Sequence, residues 1–87
     1  MQRRYRLRQA HDFQRVRQVG RAYRHAYLIL SVAPNEQPHN RYGFITSKRL
    51  GKAVVRNRIR RQLREAMRLY HPQLRAGFDI VLIARPA

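Results

Sequence analysis

Two segments of this 87-residue chain decide its fold: AVVRNRIRRQLREAMRLY, residues 53–70, and FDIVLIA, residues 78–84. In the first segment, apolar side chains recur at helical spacing, which predicts a long helix with one apolar stripe facing the core. That stripe consists of Val55, Ile59, Leu63, Ala66 and Tyr70. Pro72 prevents continuation of the helix, and the second segment is typical of a buried strand. With a strand before the helix, the two segments predict a βαβ unit with parallel pairing.

The residues before this unit complete a single α+β domain over residues 1–87. A short helix is predicted over residues 10–19, with Asp12 near its start and Gly20 as its stop. Strands are predicted over residues 21–24, 26–33 and 41–47, the last of them antiparallel to the one before it. Residues 1–9, MQRRYRLRQ, form a basic arm. The expected architecture is an α/β sandwich with a mixed sheet of about four strands.

The charge balance requires a polyanionic partner. The chain has 20 Lys and Arg residues against 4 Asp and Glu, which gives a net charge of +16. Such an excess repels itself in a compact state, so we expect a marginally stable free protein whose partner contributes folding free energy. Four dispersed acids cannot build a two-metal nuclease site, which needs several converging carboxylates. The absence of cysteine excludes a disulfide scaffold and a thiolate nucleophile.

The hydropathy pattern predicts a cytoplasmic protein. The longest apolar runs, residues 26–30 and 80–84, are far shorter than the roughly 18 residues of a membrane span. The Arg-rich start also lacks the apolar segment of a signal peptide. We therefore expect no membrane partner, while weak self-association is left open.

The predicted long helix carries an unusual concentration of positive charge. Nine Lys or Arg residues lie within residues 48–68. Four of them form like-charge pairs at i, i+4, each of which costs about 0.2–0.5 kcal/mol: Arg56, Arg60, Arg64 and Arg68. These cations are predicted on the half of the helix opposite the apolar stripe, where Glu65 is the one acid. Guanidinium groups bind phosphate bidentately, and Gly51 permits close approach of a backbone, so we interpret this face as a nucleic-acid contact.

The segment KRLGKAVVRNRIRRQLRE, residues 48–65, resembles the signature of the bacterial ribonuclease P protein family. The RNR motif of that family stands here as Arg56, Asn57 and Arg58. The resemblance extends over nearly the whole chain, through Arg6, Leu7, Asp12, Phe13, Val16, Gly20, Gly43, Ser47, Lys48 and the final IARPA. It implies that the long basic helix lies in a left-handed βαβ crossover, against the usual right-handed preference. Members of the family usually continue into another helix after the last strand, so we expect this chain to lack the usual C-terminal helix.

The resemblance also implies a function, that of the protein subunit of an endoribonuclease that removes the 5′ leader of precursor tRNA. In this family the catalyst is an RNA subunit with bound magnesium, so we expect no catalytic residue, metal site or cofactor in the protein alone. The residues implied at the RNA subunit are Lys48, Arg49, Lys52, Arg56, Asn57, Arg58, Arg60, Arg61, Arg64 and Arg68. The residues implied at the precursor tRNA leader are Phe13, Arg17, Leu28 and Leu30. An aromatic side chain in such a cleft stacks on bases of a single strand without demanding a sequence.

Three other functions compete with this one. A self-sufficient ribonuclease would use histidines as general acid and base. His11, His25, His39 and His71 lie on unrelated predicted elements, so we interpret all four as surface or RNA-contacting residues. A helix-turn-helix DNA-binding protein would need a helix just before residues 53–70, where a strand is predicted. The remaining alternative is a small basic RNA-binding protein of ribosomal or RNA-chaperone type with no role in cleavage, which composition alone does not exclude.

Overall fold

The computed structural model describes residues 2–86 and contains two helices and four strands. In chain order, the elements are α1 (Ala10–Val19), β1 (Arg21–Arg24), β2 (Leu28–Pro34), β3 (Arg41–Thr46), α2 (Ala53–Tyr70) and β4 (Phe78–Ala84). The predicted bounds of both helices, β1 and β4 are confirmed. Strand β2 begins two residues later than predicted because the chain turns there, with the His25 N–H donating to the Leu28 carbonyl at 2.8 Å. Within the described residues, no helix is long and apolar enough to cross a membrane.

The four strands form one mixed sheet in the order β1-β2-β4-β3. Strand β4 pairs antiparallel with β2 and parallel with β3, which confirms the predicted βαβ unit and the α+β class. Strand β3 runs antiparallel to β2 as predicted, but the two strands are not neighbours, because β4 lies between them. The most continuously apolar strand thereby takes a central position, buried on both faces. The left-handed path of the crossover stays a prediction.

The two helices cover opposite faces of the sheet. On the face covered by α1, the core contains Leu7, Val16, Ala33 and Val81. On the face covered by α2, the buried residues are Tyr42, Ile80 and Leu82, with Leu63 and Met67 of the helix packed against them. Because side chains alternate along a strand, β4 contributes Val81 to one core and Ile80 and Leu82 to the other.

The predicted basic arm is attached to the sheet along part of its length. Arg6 forms a parallel bridge with Tyr42 at the edge of β3, and the Leu7 N–H donates to the Tyr42 carbonyl at 2.8 Å. The Leu7 side chain is buried in the α1-side core. A short 3₁₀ turn, Arg3–Tyr5, precedes this contact. The arm therefore keeps its predicted charge but holds a defined path.

One buried carboxylate joins α1, β3 and β4. Asp79 is fully buried and accepts hydrogen bonds from Arg41 Nε at 2.8 Å, Arg41 Nη2 at 2.7 Å and Asn35 Nδ2 at 2.9 Å, and also from Arg15 of α1. Burial alone would raise the pKa of Asp79. The hydrogen bonds from Arg41 and Asn35 and the charges of Arg41 and Arg15 outweigh burial and hold this pKa below its usual value. Asp79 is thus an ionised anchor that holds α1 on the sheet.

Candidate nucleic-acid interface

Helix α2 packs on the sheet through a face that shares Ile59, Leu63 and Ala66 with the predicted stripe but is rotated away from the two ends of that stripe. Val55 and Tyr70, both in the predicted stripe, are 38% and 58% exposed. The half-buried positions of the helix are Arg56, Ile59, Arg60, Leu63, Arg64, Ala66 and Met67. The prediction that Arg56, Arg60 and Arg64 lie opposite the packed face is therefore wrong. The apolar stem of arginine packs readily against apolar surface while its guanidinium stays near water, and this allows the rotation.

The guanidinium groups of the half-buried arginines lie close together where α2 packs on β3. Arg60 Nη2 donates to the hydroxyl of Thr46 at 2.7 Å, and the Arg64 guanidinium lies 5.9 Å from the centre of the Phe44 ring. Burial lowers the pKa of Arg64, and the charges of Arg6, Arg60 and Arg61 lower it further. The buried Nε atom of Arg64 has no hydrogen-bond partner in the described part of the chain. A bound phosphate would relieve this repulsion.

The other predicted RNA-binding residues are exposed on one side of α2 and on the turn before it. Arg68 is bound by Glu65, with N···O distances of 2.5 to 3.2 Å. For the remaining cations on this side, residues 2–86 offer no salt bridge. We call these five side chains the basic surface: Lys48, Arg49, Lys52, Arg58 and Arg61. Asn57 is exposed beside them.

The amino end of α2 adds backbone donors to the basic surface. Gly51, just before the helix, has a φ of 133°, a conformation that side chains rarely adopt. Lys52 at the N-cap makes no side-chain cap, and the first turn contains no acid. The free N–H groups and the positive end of the helix dipole therefore lie next to Lys48, Arg49 and Lys52, which is a favourable arrangement for an anion.

Phe13 lies over the sheet on the α1 side and needs a glycine beneath it. A Cβ atom added at Gly43 would come within 2.3 Å of the Phe13 ring. The ring is half-buried and, like Ile45 and Ile83, packs against the buried core on this face. A half-buried ring of this kind packs the core and also keeps a surface for a ligand.

An apolar row of side chains extends from Phe13 across three strands. Ile83 of β4 is paired with Ile29 of β2 and with Ile45 of β3, so the three side chains lie side by side on the α1 face. All three are half-buried. We call them the isoleucine row. Exposed Arg24 pairs with Ile29 at one end of the row, and exposed Arg17 lies one turn after Phe13 on α1.

The four residues predicted to contact the leader do not form one surface. Phe13 and Arg17 belong to α1, whereas Leu28 and Leu30 pack in the core on the α2 side of the sheet. The prediction of one cleft lined by all four is wrong, because alternation along β2 turns Leu28 and Leu30 away from α1. Ile29, between them in sequence, is the β2 residue on the α1 side.

Two of the four histidines lie close together in the fold, and the interpretation of all four as surface or RNA-contacting residues stays a prediction. His39 and His71 are half-buried and contact the same ring, that of Tyr5, at centroid distances of 5.4 and 4.5 Å. The chain fold brings them together although they are far apart in sequence. No group of three metal-ligating side chains occurs among the described residues.

Comparisons with known proteins identify the family. The Ribonuclease P family model matches residues 1–87. A ribonuclease P protein component from Roseiflexus castenholzii is 55% identical over 85 residues, covering 98% of this chain and 70% of that protein. One from Chloroflexus aurantiacus is 52% identical over 85 residues, covering 98% of this chain and 63% of that protein. The chain belongs to the ribonuclease P protein family. A solved structure of the Staphylococcus aureus RNase P protein agrees, with a TM-score of 0.87 and 36% identity over 93% of this chain and 74% of that chain.

Membership of the ribonuclease P protein family confirms the assignment made from the RNR signature. The relatives are named as protein components of ribonuclease P. Sequence reasoning missed two features of this ribonuclease P protein, the Asp79 anchor and the isoleucine row. The sequence does carry a signal for the anchor, because Asp79 is the one acid inside the apolar run FDIVLIA. A carboxylate buried there requires cationic partners.

Proposed function

We propose that this chain is the protein subunit of a ribonuclease P that removes the 5′ leader of precursor tRNA in the cytoplasm. The RNA subunit supplies catalysis, together with its bound magnesium, and the protein supplies binding. The basic surface and the crowded arginines of α2 contact the RNA subunit. Phe13, Arg17 and the isoleucine row contact the single-stranded leader.

The observation that carries this proposal is the positive charge left without a partner around α2. Three of the four acids pair with cations within residues 2–86, and the arginines that they reach are Arg15, Arg41 and Arg68, along with a contact to His11. The cations of the basic surface therefore lack internal compensation, and the pKa of Arg64 is lowered by burial and by its cationic neighbours. Phosphate groups of an RNA would compensate these charges and release counterions.

The α1 side of the sheet supports contact with a single strand. An apolar floor with basic rims binds bases by stacking and binds the backbone by charge, without a sequence requirement. Phe13 offers the aromatic surface, the isoleucine row offers the floor, and Arg17 and Arg24 offer charge. Because α1 is held on the sheet by the bond from Arg15 to Asp79, the position of Phe13 does not depend on the ligand.

The proposal is tested by multiple-turnover cleavage of a precursor tRNA by a bacterial-type ribonuclease P RNA at low magnesium. The protein is expected to increase the rate of leader removal and to cleave nothing in the absence of the RNA subunit. Heat-denatured protein is the matched control for nonspecific charge effects. Cleavage by the protein after stringent removal of RNA would contradict the assignment of catalysis, and no rate increase would contradict the function.

A further inference from the structure

A cavity of about 460 Å³ lies at the carboxyl end of α2, away from the basic surface and the isoleucine row. Gln2, Tyr5, Arg68 and His71 line it. Its volume falls within the roughly 300–1,000 Å³ of small-ligand pockets. Two of its walls are aromatic rings, Tyr5 and His71, whose centroids are 4.5 Å apart and whose planes are inclined by 48°. The proposed contacts of the RNA subunit and the leader do not use Tyr5 or His71.

A buried chain of hydrogen bonds determines which ring nitrogen of His71 carries the hydrogen. The Phe78 N–H donates to Asn40 Oδ1 at 2.8 Å, which orients the amide so that Asn40 Nδ2 faces the Arg75 carbonyl at 2.9 Å and the Tyr42 hydroxyl oxygen at 3.4 Å. The Tyr42 hydroxyl therefore directs its proton to His71 Nδ1 at 2.8 Å. In the neutral ring, the other nitrogen then carries the hydrogen. His71 Nε2 is a donor with no acceptor in the described part of the chain.

Arg68, the cation that lines the cavity, is also oriented. Arg68 donates through Nε and Nη2 to Glu65, which leaves Nη1 without a bond to that carboxylate. The Arg4 guanidinium lies 4.8 Å from the centre of the Tyr5 ring. The cavity thus combines aromatic walls, one fixed N–H donor and a guanidinium at its rim.

We infer that this cavity binds one unpaired nucleotide of an RNA, with its base against Tyr5 and His71. The ring nitrogens and carbonyl oxygens of bases are acceptors for the His71 Nε2 donor, and the 5′ phosphate suits the free side of the Arg68 guanidinium. The assignment of this nucleotide to the ribonuclease P RNA rests on the proposed function, because Arg68 belongs to the same helix as the basic surface. The inference adds a base contact to an interface otherwise built on phosphates.

The test is a titration of the full chain with adenosine 5′-monophosphate, followed by NMR signals of the His71 ring. Ribose 5-phosphate is the matched ligand without a base. We expect saturable shifts of His71 with the nucleotide and at least 5-fold weaker binding of ribose 5-phosphate. We also expect transferred NOEs from adenine protons to the Tyr5 and His71 rings, a measurement that needs no variant.

Variants locate the binding. Tyr5→Leu keeps an apolar contact with His71 but removes the ring, and should weaken nucleotide binding at least 5-fold. Tyr5→Phe should retain binding within 2-fold. Tyr27→Leu is the matched control, because Tyr27 is also a tyrosine beside a histidine, with its ring 5.9 Å from that of His25, but it does not line this cavity. Equal affinity for the two ligands, absence of the NOEs, or unchanged binding by a folded Tyr5→Leu would overturn the inference.

A parallel titration with ribonuclease P RNA separates this inference from the proposed function. Tyr5→Leu should lower the affinity for the RNA at least 5-fold with an unchanged salt dependence, because no phosphate contact is lost. Failure of the wild-type protein to bind this RNA, with the nucleotide still bound at His71, would contradict the proposed function alone. Normal RNA binding by Tyr5→Leu would contradict the base contact alone.

Discussion

Replacement of Asp79 by asparagine tests the buried anchor directly. The substitution keeps the size of the side chain but removes the charge and turns one acceptor oxygen into a donor. Asp79 is fully buried and accepts hydrogen bonds from Arg15, Arg41 and Asn35. In Asp79→Asn, two guanidinium groups lose the fully buried carboxylate that both contact, and one of them no longer holds α1 on the sheet.

The expected loss follows from the burial of the partners. Removing one member of a buried ion pair costs about 3–5 kcal/mol. The Arg15 and Arg41 side chains are 36% and 26% exposed, so water hydrates them in part and the lower end of that range applies. We therefore expect a loss of about 3 kcal/mol in the free energy of unfolding. For a domain of this size, about 4–8 °C per kcal/mol gives a fall in Tm of about 12–24 °C.

The assay is thermal unfolding by circular dichroism at constant ionic strength and pH 7. Glu36→Gln is the matched control, because this substitution removes the same charge from the chain. Glu36 is exposed and makes no salt bridge within residues 2–86. We expect the Tm of this variant to change by less than about 3 °C, as for an ordinary surface substitution. Similar losses in the two variants would refute the anchor and leave only the change in net charge.

The same carboxylate predicts a pH dependence with a definite sign. The folded-state pKa of Asp79 is lowered, so its stabilising contribution is present above the unfolded value of about 3.9 and is lost as the pH falls through the folded value. Wild-type protein should therefore lose stability below about pH 4 more steeply than Asp79→Asn. Parallel acid-unfolding curves for the two proteins would contradict this assignment.

Three further predictions concern the interface. For the wild-type protein, contact with about six phosphates gives a log-log salt slope of RNA binding of about −4 to −5. The double substitution Arg58→Ala and Arg61→Ala should make this slope shallower by about 2 units, and an unchanged slope would place the contact elsewhere. Phe13→Leu should weaken binding of precursor tRNA by about 1–3 kcal/mol per stacked base and leave binding of mature tRNA unchanged. An equal loss of affinity for the two tRNAs would mean that Phe13 is a core residue only. Sulfate should raise the Tm more than chloride at equal ionic strength, because it binds guanidinium groups bidentately, and identical melts would leave only screening.

Local patterns were sufficient for the elements of the fold but not for their arrangement. The apolar spacing of α2 and the run FDIVLIA of β4 predicted both elements with their bounds. The position of β4 between β2 and β3 depends on pairings between distant parts of the chain, which no local pattern contains. The hydropathy pattern also could not predict the rotation of α2. It counts Arg56, Arg60 and Arg64 as polar, although the apolar stems of arginine side chains pack against apolar surface.

The candidate site was predictable to the same degree. The cations of α2 followed from composition and spacing, and Phe13 followed from the family resemblance. The choice of Leu28 and Leu30 over Ile29 failed because both faces of β2 are apolar, so the sequence does not show which face lies under α1. Asp79 and Tyr5 act through partners from several elements, and such convergence appears only in three dimensions.

The central place of β4 in the sheet determines the order in which a growing chain can acquire structure. Within residues 2–86, the other helices and strands precede β4, yet β3 pairs along its length with β4 and β2 lies between β1 and β4. On the ribosome, α2 is complete and carries its cations before the strand that organises the sheet has been made. The nascent polypeptide therefore exposes the cations of α2 before the sheet is complete, at a stage when β3 has no strand partner and β2 has only β1.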